Sequence, residues 1–255
     1  MTSAPRGGWS IERRTGSAPT LHGPWPEPGR RGSRLVALCT VVGPRAIVLG
    51  TTQSTEIVDL GRAADDDVEV VRRTSGGGAV LVGPAAQVWL EAWVPRSDPL
   101  WDDDIIESSS WLGRTWTRAL VELGSPRLLV HHGRATRSEW SDIICFAGVG
   151  PGEVTTAVPS AATAPAPKVV GVAQRRTREG ARLHSMALVQ WSPEPLVTLL
   201  ALDADRARRA HDARGTGELD TVASGLRDIL PMPLRAAGRE TLVVAVEDAL
   251  LRALP

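Results

Sequence analysis

Residues 72–80 read Arg-Arg-Thr-Ser-Gly-Gly-Gly-Ala-Val, and they follow a short β-prone run at residues 68–71. We predict a strand that runs into a glycine-rich edge. Three consecutive glycines remove the β-carbons from this stretch, so a ligand can approach the main chain closely and the amides can point at an anion or a carbonyl. Arg72 and Arg73 add positive charge suited to a carboxylate or a phosphate. The stretch therefore predicts a ligand-binding loop, with a flexible glycine hairpin as the alternative.

Further strands and helices are predicted on both sides of this stretch. Residues 88–94 alternate with a period of two, which indicates a sheet strand. Other β-prone runs lie at residues 35–42, 46–50, 127–130, 142–146, 168–173 and 183–191. Helices are predicted at residues 58–64, from the aspartates 102–104 to Gly124, at residues 192–202 and at residues 239–254. Because strands and helices do not alternate regularly, we expect an α+β fold: a single domain with a mixed or antiparallel central sheet flanked by helices.

Composition divides the chain into two parts. Residues 1–33 are rich in glycine, proline, arginine and serine and show no sustained period, so we predict a poorly ordered N-terminal arm. Residues 34–255 contain no internal repeat and no linker, and we predict one domain there. Within it, residues 158–167 form an alanine-, proline- and threonine-rich tract that is typical of a mobile loop.

The residue counts exclude several classes of protein. The 29 basic residues are matched by 29 acidic ones, so there is no basic field for nucleic acid. No stretch approaches the roughly 20 apolar residues that span a bilayer, and the N-terminus lacks the apolar core of a signal peptide. Two distant cysteines, Cys39 and Cys145, fit free thiols in a reducing compartment. We therefore expect a cytoplasmic protein that binds neither nucleic acid nor membrane. No metal site is predicted, because the histidines have no partner carboxylates at a ligand spacing.

Three sequence blocks, in order, resemble a known enzyme family. The pattern Arg-Arg-x-Ser-Gly-Gly-Gly-Ala-Val at residues 72–80 resembles the signature of lipoate–protein ligases and octanoyltransferases, which share their fold with biotin protein ligases. Residues 47–53, Ile-Val-Leu-Gly-Thr-Thr-Gln, resemble the segment that precedes this signature. Residues 168–176, Lys-Val-Val-Gly-Val-Ala-Gln-Arg-Arg, resemble the family's Lys-(Ile/Val)-x-Gly-x-Ala-Gln-Arg segment. The resemblance covers about residues 35–205 and implies a fold like that of class II aminoacyl-tRNA synthetases and biotin ligases.

The resemblance implies an acyl site around Lys168. In the family the equivalent lysine lies at the acyl carbonyl, where an ammonium stabilises developing negative charge. Lys168 is the only lysine of this chain, and the planar fork of an arginine cannot replace a compact ammonium in a tight site. Family members carry His-Gly near the position of His184-Ser185, so the resemblance allows His184 a place in the site lining. The residues implied to bind the acyl or adenylate group are Arg72, Arg73, Ser75, Gly76, Gly77, Gly78, Ala79, Gly171 and Ala173.

Cys145 is the second candidate catalytic residue. It lies in Ile143-Ile144-Cys145-Phe146 before a glycine-rich turn, and this arrangement resembles one branch of the octanoyltransferases, in which a cysteine accepts the acyl group. A thiolate there would attack a thioester, form an acyl-enzyme and release the acyl group to a lysine amine. The alternative is a small buried hydrophobic residue, which is also our interpretation of Cys39.

One departure from the family pattern bears on the use of ATP. ATP-using relatives follow the glycine signature with His-Asp-x-Gly-Asn, whereas residues 81–86 here read Leu-Val-Gly-Pro-Ala-Ala. This segment lacks the imidazole and the carboxylate that help to hold an adenylate, and it favours thioester transfer; a reaction that uses ATP and magnesium stays open. The Ser-Gly-Gly-Gly-Ala sequence also differs from the arginine-punctuated loop of biotin ligases.

The resemblance therefore implies protein lipoylation. A lipoyl or octanoyl group, held as a thioester or an adenylate, would be attached to the lysine of a lipoyl domain in a 2-oxoacid dehydrogenase or in the glycine-cleavage protein. An acyl carrier protein is a donor that fits the thioester route. Two alternatives are an ATP-dependent lipoate–protein ligase and a catalytically silent acyl-binding relative.

Overall fold

The structure is a computed structural model that describes residues 3–6, 8–26, 30–158, 166–210 and 217–255, with the backbone alone at residues 3–6. The strands are β1 (Ser3–Arg6), β2 (Trp9–Gly16), β3 (Leu35–Val41), β4 (Arg45–Leu49), β5 (Val68–Arg72), β6 (Val80–Val82), β7 (Gln87–Pro95), β8 (Leu128–Val130), β9 (Val154–Thr156), β10 (Lys168–Arg176) and β11 (Gly180–Leu188). The helices are α1 (Ala18–His22), α2 (Leu60–Asp65), α3 (Ser110–Glu122), α4 (Glu194–Val197), α5 (Ala204–Ala210), α6 (Leu226–Ile229) and α7 (Arg239–Ala253).

The strands form two sheets in the described part of the chain. The larger sheet has eight strands in the order β1-β2-β3-β7-β11-β10-β9-β8, and the smaller sheet has three in the order β5-β4-β6. Most neighbouring strands are antiparallel, but β2 runs parallel to β3 and β4 runs parallel to β5. The mixed sheets and their flanking helices confirm the predicted α+β fold with a central mixed sheet.

Helices cover one face of the larger sheet, and the smaller sheet lies against the other face. Alternate residues of β3 separate the two sides. Val36 and Leu38 pack with α3 and α7, whereas Ala37 and Cys39 pack with residues of the smaller sheet. This separation follows from strand geometry, in which successive side chains point to opposite faces. Because both faces are covered, β7 is buried along its whole length.

The structure of the N-terminal segment differs from the predicted poorly ordered arm. β2 pairs with β3 from Ser10↔Leu35 to Gly16↔Val41. Trp9 is fully buried, and its indole Nε1 donates a hydrogen bond to Pro255 O (2.9 Å). The prediction of a poorly ordered arm is therefore wrong for residues 8–26. β2 carries only two buried apolar residues, Trp9 and Ile11, which are too few to set a visible period. Residues 1, 2, 7 and 27–29 of the predicted arm lie outside the described residues.

The segment that carries Cys145 is not the predicted strand. Residues 142–146 form turns and the start of a 3-10 helix at Cys145–Ala147. The segment meets the glycine edge at a single parallel bridge, Ala79↔Ile144. Ala79 N donates a hydrogen bond to Ile143 O (2.7 Å), and Cys145 N donates one to Ala79 O (2.9 Å). The apolar run at residues 143–146 is thus buried by a tertiary contact and not by a sheet ladder.

Two predicted helices begin or end elsewhere. α3 begins at Ser110, after the aspartates. The carboxylates of Asp102 and Asp104 accept hydrogen bonds from backbone N–H groups two residues further on (2.8 Å each), which stabilises local turns instead of a helix start. The helix predicted at residues 192–202 is limited to α4.

Residues 159–165 of the predicted mobile loop lie outside the described residues. In the segments that are described, no helix combines the length and the apolar character needed to cross a membrane.

Candidate active site

A cavity of about 600 Å³ lies between the two sheets. This volume is typical of a small-molecule pocket. Its walls come from distant parts of the chain: β4, the glycine edge, the loop of residues 135–150, and strands β7, β10 and β11. It brings together these predicted site residues: Arg73, Gly76, Gly77, Gly78, Cys145, Lys168, Gly171 and Ala173. Apolar side chains complete the lining, among them Val48, Val80, Trp89, Phe146, Val172 and Met186.

Arg73 holds the glycine edge in shape. Its guanidinium donates hydrogen bonds to the carbonyl oxygens of Gly76 (2.8 Å), Gly78 (2.9 Å) and Val48 (3.3 Å). Gly77 has a φ of +97°, a conformation that favours glycine. The amides of these three glycines have no hydrogen-bond acceptor within the described residues. The amides are therefore free to bind a ligand, while most donors of Arg73 are already used.

Three predicted site residues are not part of the cavity lining. The guanidinium of Arg72 donates hydrogen bonds to Gly50 O (3.1 Å) and to Gln53 O, so it braces the turn after β4. Ser75 is buried, and its Oγ has no partner among the described residues. Ala79 is fully buried beneath the Cys145 segment. Contacts of these three residues with an acyl or adenylate group stay predictions.

Two glycines allow backbone segments to meet at the cavity wall. A β-carbon on Gly78 would lie 2.5 Å from the carbonyl carbon of Ile144, and a β-carbon on Gly50 would overlap Gly77 O. A larger residue at either position would force the segments apart. The glycine run therefore serves as a docking surface for the segment that carries Cys145, as well as an edge of the cavity.

Lys168 lies at the start of β10 and is 2% exposed. Its ammonium donates hydrogen bonds to Cys145 O (2.8 Å) and Gly148 O (3.1 Å) and forms an ion pair with Glu153 Oε1 (2.7 Å). A β-carbon on Gly171 would lie 3.8 Å from the ammonium nitrogen. An ammonium has three N–H donors, so all three are engaged in this structure. The ammonium thus fixes the backbone around Cys145 at the cavity wall.

Glu153 is a site residue that the sequence analysis did not identify. Its Oε1 accepts a hydrogen bond from Val172 N (3.0 Å) in addition to its contact with Lys168, and its Oε2 accepts one from Gly150 N (2.6 Å). The buried carboxylate is thus paired and hydrogen-bonded, as burial of a charge requires. Its place at the end of a glycine-rich turn before β9 is a weak signal, because only the fold brings it to the lysine.

Cys145 is half-buried and lines the same cavity as Lys168. Its N–H donates to Ala79 O and its carbonyl accepts from the Lys168 ammonium, so both main-chain groups are held. Cys39 differs, because it lies in the core and burial raises the pKa of its thiol well above the usual value. The geometry therefore gives one cysteine access to a ligand and keeps the other as a neutral core residue.

A second polar cluster lies on β7 and β11, and its His184 lines the cavity. The buried carboxylate of Glu91 lies 2.8 Å from His184 Nδ1, without the geometry of a hydrogen bond, and 2.8 Å from Arg182 Nη2. Arg14 Nη1 approaches it at 3.1 Å. Burial would raise the pKa of Glu91, but His184 and Arg182 lower it to about 2. Burial and the neighbouring His184 lower the pKa of His22 to about 3, so His22 is neutral near pH 7.

The sequence analysis did not identify Glu91 as the partner carboxylate of a histidine. The two residues are distant in sequence, and only the pairing of β7 with β11 places Glu91 opposite His184.

Within the described ranges, no group of three or more histidine, cysteine, aspartate or glutamate side chains is arranged to hold a metal ion.

Comparison with known proteins gives one family and several similar folds. The family model of the lipoyl protein ligase A/B catalytic domain matches residues 30–245. The structure is similar to a bi-partite lipoate protein ligase from an archaeal lipoylation system of Thermoplasma acidophilum, at 18% identity over 95% of this chain and 82% of that chain, with a TM-score of 0.62. No curated protein has significant sequence similarity to the chain.

Two further structures have similar folds. Lipoate-protein ligase A bound with ATP is 17% identical, with 87% of this chain and 71% of that chain covered and a TM-score of 0.58. P. falciparum LipL1 in complex with lipoate is 14% identical, with 95% of this chain and 59% of that chain covered and a TM-score of 0.55. At these identities the likeness concerns the fold alone.

Proposed function

Because the chain belongs to the family of lipoyl protein ligase A/B catalytic domains, we propose that it transfers a lipoyl or octanoyl group to the lysine of a lipoyl domain through an acyl-enzyme on Cys145. The family comprises enzymes of the ligase and transferase type, and the chain has a lipoate-protein-ligase-like catalytic domain. One observation carries the proposal: Cys145, Lys168 and the glycine edge line one cavity of mixed polar and apolar character.

The reaction takes place in two acyl transfers. In the first, the Cys145 thiolate attacks the carbonyl carbon of an acyl thioester; a carbon–sulphur bond to Cys145 forms, the bond to the donor sulphur breaks, and the donor leaves as a thiol with the proton that Cys145 lost. In the second, the amine of the acceptor lysine attacks the acyl-enzyme. An amide bond forms, the bond to Cys145 breaks, and a proton of the amine returns to the thiolate.

Two groups near Cys145 are suited to the negative charge that develops on the carbonyl oxygen. Gly76, Gly77 and Gly78 line the cavity, and their amides have no acceptors within the described residues. The Lys168 ammonium is engaged with three oxygens, of which Gly148 O is the most distant at 3.1 Å. We infer that the acyl oxygen competes with Gly148 O for this ammonium, so that Lys168 stabilises the charge without leaving Glu153.

The segment after the glycine edge supports a thioester donor. Residues 80–82 form β6, and the following turn carries glycine, proline and alanine. This segment presents neither an imidazole nor a carboxylate to an adenylate. Lipoate-protein ligase A, a structure of similar fold, is bound with ATP, so ATP-dependent ligation is the second candidate. An acyl carrier protein is the donor that suits the first candidate.

A lipoyl domain is the proposed acceptor. The T. acidophilum ligase is described together with its E2 lipoyl domain. For this chain we propose the lipoyl domains of 2-oxoacid dehydrogenases or of the glycine-cleavage system, which present the target lysine on a small folded domain.

The acyl-enzyme is tested by intact-protein mass spectrometry. The protein is incubated with an octanoyl thioester, and we expect an added octanoyl mass that is absent in Cys145→Ala and retained in Cys39→Ala. Cys39 is the matched control because it is the other cysteine, buried away from the cavity. An unchanged adduct in Cys145→Ala would remove Cys145 from the mechanism.

Transfer to a purified lipoyl domain separates the candidates. Octanoyl transfer from the thioester without ATP would select the acyltransferase. Transfer of free octanoate or lipoate only with ATP and magnesium would select the ligase. Binding of these acids without transfer from either donor would select a catalytically silent relative.

A further inference from the structure

A second cavity, of about 500 Å³, lies next to the first one. The two cavities share Val80 and Phe146 as lining residues. Cys145 lines the first cavity, and its neighbours Ile144 and Phe146 line the second. The other walls of the second cavity come from the turn after β6, from the segment that follows β11 and from the start of α7. The second cavity therefore adjoins the residue that takes the acyl group in the proposed function.

The second cavity runs along the free edge of β6. Residues 79–83 all belong to its lining, although successive side chains of a strand point to opposite faces, so the cavity meets the strand at its edge. β4 pairs with β6 on one side. On the other side, within the described residues, the Cys145 segment covers only Ala79, through its bridge to Ile144. Because a free edge presents backbone N–H and C=O groups, this wall suits an extended ligand that carries amides.

Two arginines without partners line the second cavity. Arg45 and Arg239 are exposed, and the guanidinium of neither has a hydrogen bond or an ion pair within the described part of the chain. A β-carbon on Gly83 would lie 3.1 Å from Arg45 Cγ, so the stem of this arginine crosses the far end of the β6 edge. Arg239 is the first residue of α7. Both guanidinium groups are therefore available to an anion.

The cations of the first cavity are already engaged. Arg73 donates hydrogen bonds to backbone carbonyl oxygens. The Lys168 ammonium is paired with Glu153 at 2.7 Å, and Arg137 is paired with Asp142 at 3.2 Å. A ligand with an acyl chain in the first cavity and an anionic group elsewhere would therefore place the anion in the second cavity.

The order of these features matches the leaving group of a thioester donor. From Ala79, beside Cys145, to Gly83, beside Arg45, the edge spans roughly 13 Å. The chain between the sulphur and the phosphorus of phosphopantetheine is about as long as four residues of extended backbone, and it carries amides. We propose that the second cavity holds the phosphopantetheine arm of the donor, with its amides along β6 and its phosphate at Arg45 and Arg239. This inference rests on the proposed function and deepens it.

Transfer from donors with and without the phosphate tests the subsite. Octanoyl-phosphopantetheine and octanoyl-pantetheine differ only in that group, and mass spectrometry of an octanoylated lipoyl domain gives kcat/KM for each. We expect the wild type to favour the phosphorylated donor about tenfold, the effect of one charge-assisted hydrogen bond. Arg45→Gln and Arg239→Gln should each reduce this ratio, and the double variant should abolish the preference. The ratio is insensitive to a loss of folded protein, which affects both donors equally.

Two larger donors identify the source of the arm. Octanoyl-coenzyme A and an octanoylated acyl carrier protein both carry phosphopantetheine. Both should lose rate in the double variant, and the donor with the higher kcat/KM in the wild type is the source.

Arg127→Gln is the matched control, because Arg127 is exposed and is not part of the lining of either cavity; its ratio should equal that of the wild type. Octanoyl transfer with the same ratio in the wild type and the double variant would overturn the subsite and leave the proposed function intact. Failure of the wild type to transfer octanoyl from any of the thioesters would overturn both.

Discussion

The ion pair of Lys168 and Glu153 is buried on both sides, and every oxygen and N–H of the pair that faces the protein has a partner. Such a pair adds little net stability compared with apolar residues of the same volume, but removal of one partner leaves an uncompensated charge. The chain therefore maintains a costly charge at a position where a reaction can use it. The carboxylate holds the ammonium at Cys145 O, so we assign Glu153 a positioning role.

Substitution of Glu153 by glutamine removes the negative charge of this pair and leaves the ammonium of Lys168 in place. We expect Glu153→Gln to lower the free energy of unfolding at pH 7 by about 3 kcal/mol, because the Lys168 ammonium stays buried without its counter-charge. The acyl-enzyme should also form more slowly. Urea titration followed by tryptophan fluorescence measures the stability. Glu122→Gln is the control, since its pair with Arg252 is exposed and contributes little. Equal losses of stability in Glu153→Gln and Glu122→Gln would contradict the claim that Glu153→Gln leaves an uncompensated buried charge on Lys168.

The acid sensitivity of the fold depends on His22 and Glu91. Folding lowers the pKa of His22 from 6.5 to about 3 and that of Glu91 from 4.5 to about 2. In both cases the unfolded state binds more protons between the two values, so the free energy of unfolding falls as the pH decreases. For His22 the fall begins below pH 6.5, and for Glu91 it begins below pH 4.5.

A pH series therefore separates the two groups. We expect His22→Leu to reduce the loss of stability between pH 6.5 and about 3 relative to the wild type, and to leave in place the additional loss below pH 4.5 that belongs to Glu91. Urea unfolding at fixed pH values measures both ranges. Parallel curves for wild type and variant above pH 4.5 would show that His22 binds protons equally in both states.

At the scale of elements, the residue pattern predicts those strands and helices whose apolar residues are buried along the element itself. β3 and β4 were predicted at residues 35–42 and 46–50 and lie at Leu35–Val41 and Arg45–Leu49. α7 was predicted at residues 239–254 and ends at Ala253. β2 was missed because few of its residues are apolar, and the strand predicted at residues 142–146 was wrong because its apolar residues are buried by the glycine edge.

The site residues also divide into those that sequence motifs predict and those that only the fold brings together. The motif blocks placed the glycine edge and Lys168 in one site, and a separate resemblance to one branch of the octanoyltransferases added Cys145; all three line one cavity. Glu153, Glu91 and His22 were not predicted, because contacts between distant segments bring Glu153 and His22 to the cavity and place Glu91 opposite His184. No spacing within the sequence contains that information.

β2 offers a test of how strongly the N-terminal segment is held. We expect Trp9→Ala to lower the free energy of unfolding by about 3 to 5 kcal/mol, because it removes a fully buried indole and its hydrogen bond to Pro255 O. Trp101→Ala, at a partly exposed indole, should cost far less. Urea titration of both variants measures the difference. A loss below about 1 kcal/mol for Trp9→Ala would show that residues 8–16 are only loosely attached to the domain.

At the scale of the whole molecule, the cavity lies between the two sheets, and the closing segment, residues 135–150, forms one of its walls. The closing segment is attached to the glycine edge at Ala79 and to the larger sheet at Lys168. The reactive thiol is carried on this closing segment and on neither sheet. Its alignment with the glycine amides therefore depends on how closely the segment approaches Gly78.

Substitutions of Gly78 and Gly76 test whether the alignment of the Cys145 thiol depends on this close approach, with Gly76 as the control. A β-carbon on Gly78 would lie 2.5 Å from the carbonyl carbon of Ile144, whereas one on Gly76 would have no atom within 4 Å. We expect Gly78→Ala to push the Cys145 segment away from the glycine edge, to lower the thermal midpoint and to slow octanoyl adduct formation at least tenfold, a change of about 1.4 kcal/mol in the barrier. Gly76→Ala should keep the thermal midpoint. Equal thermal midpoints and adduct rates in the two variants would mean that the closing segment does not align the thiol.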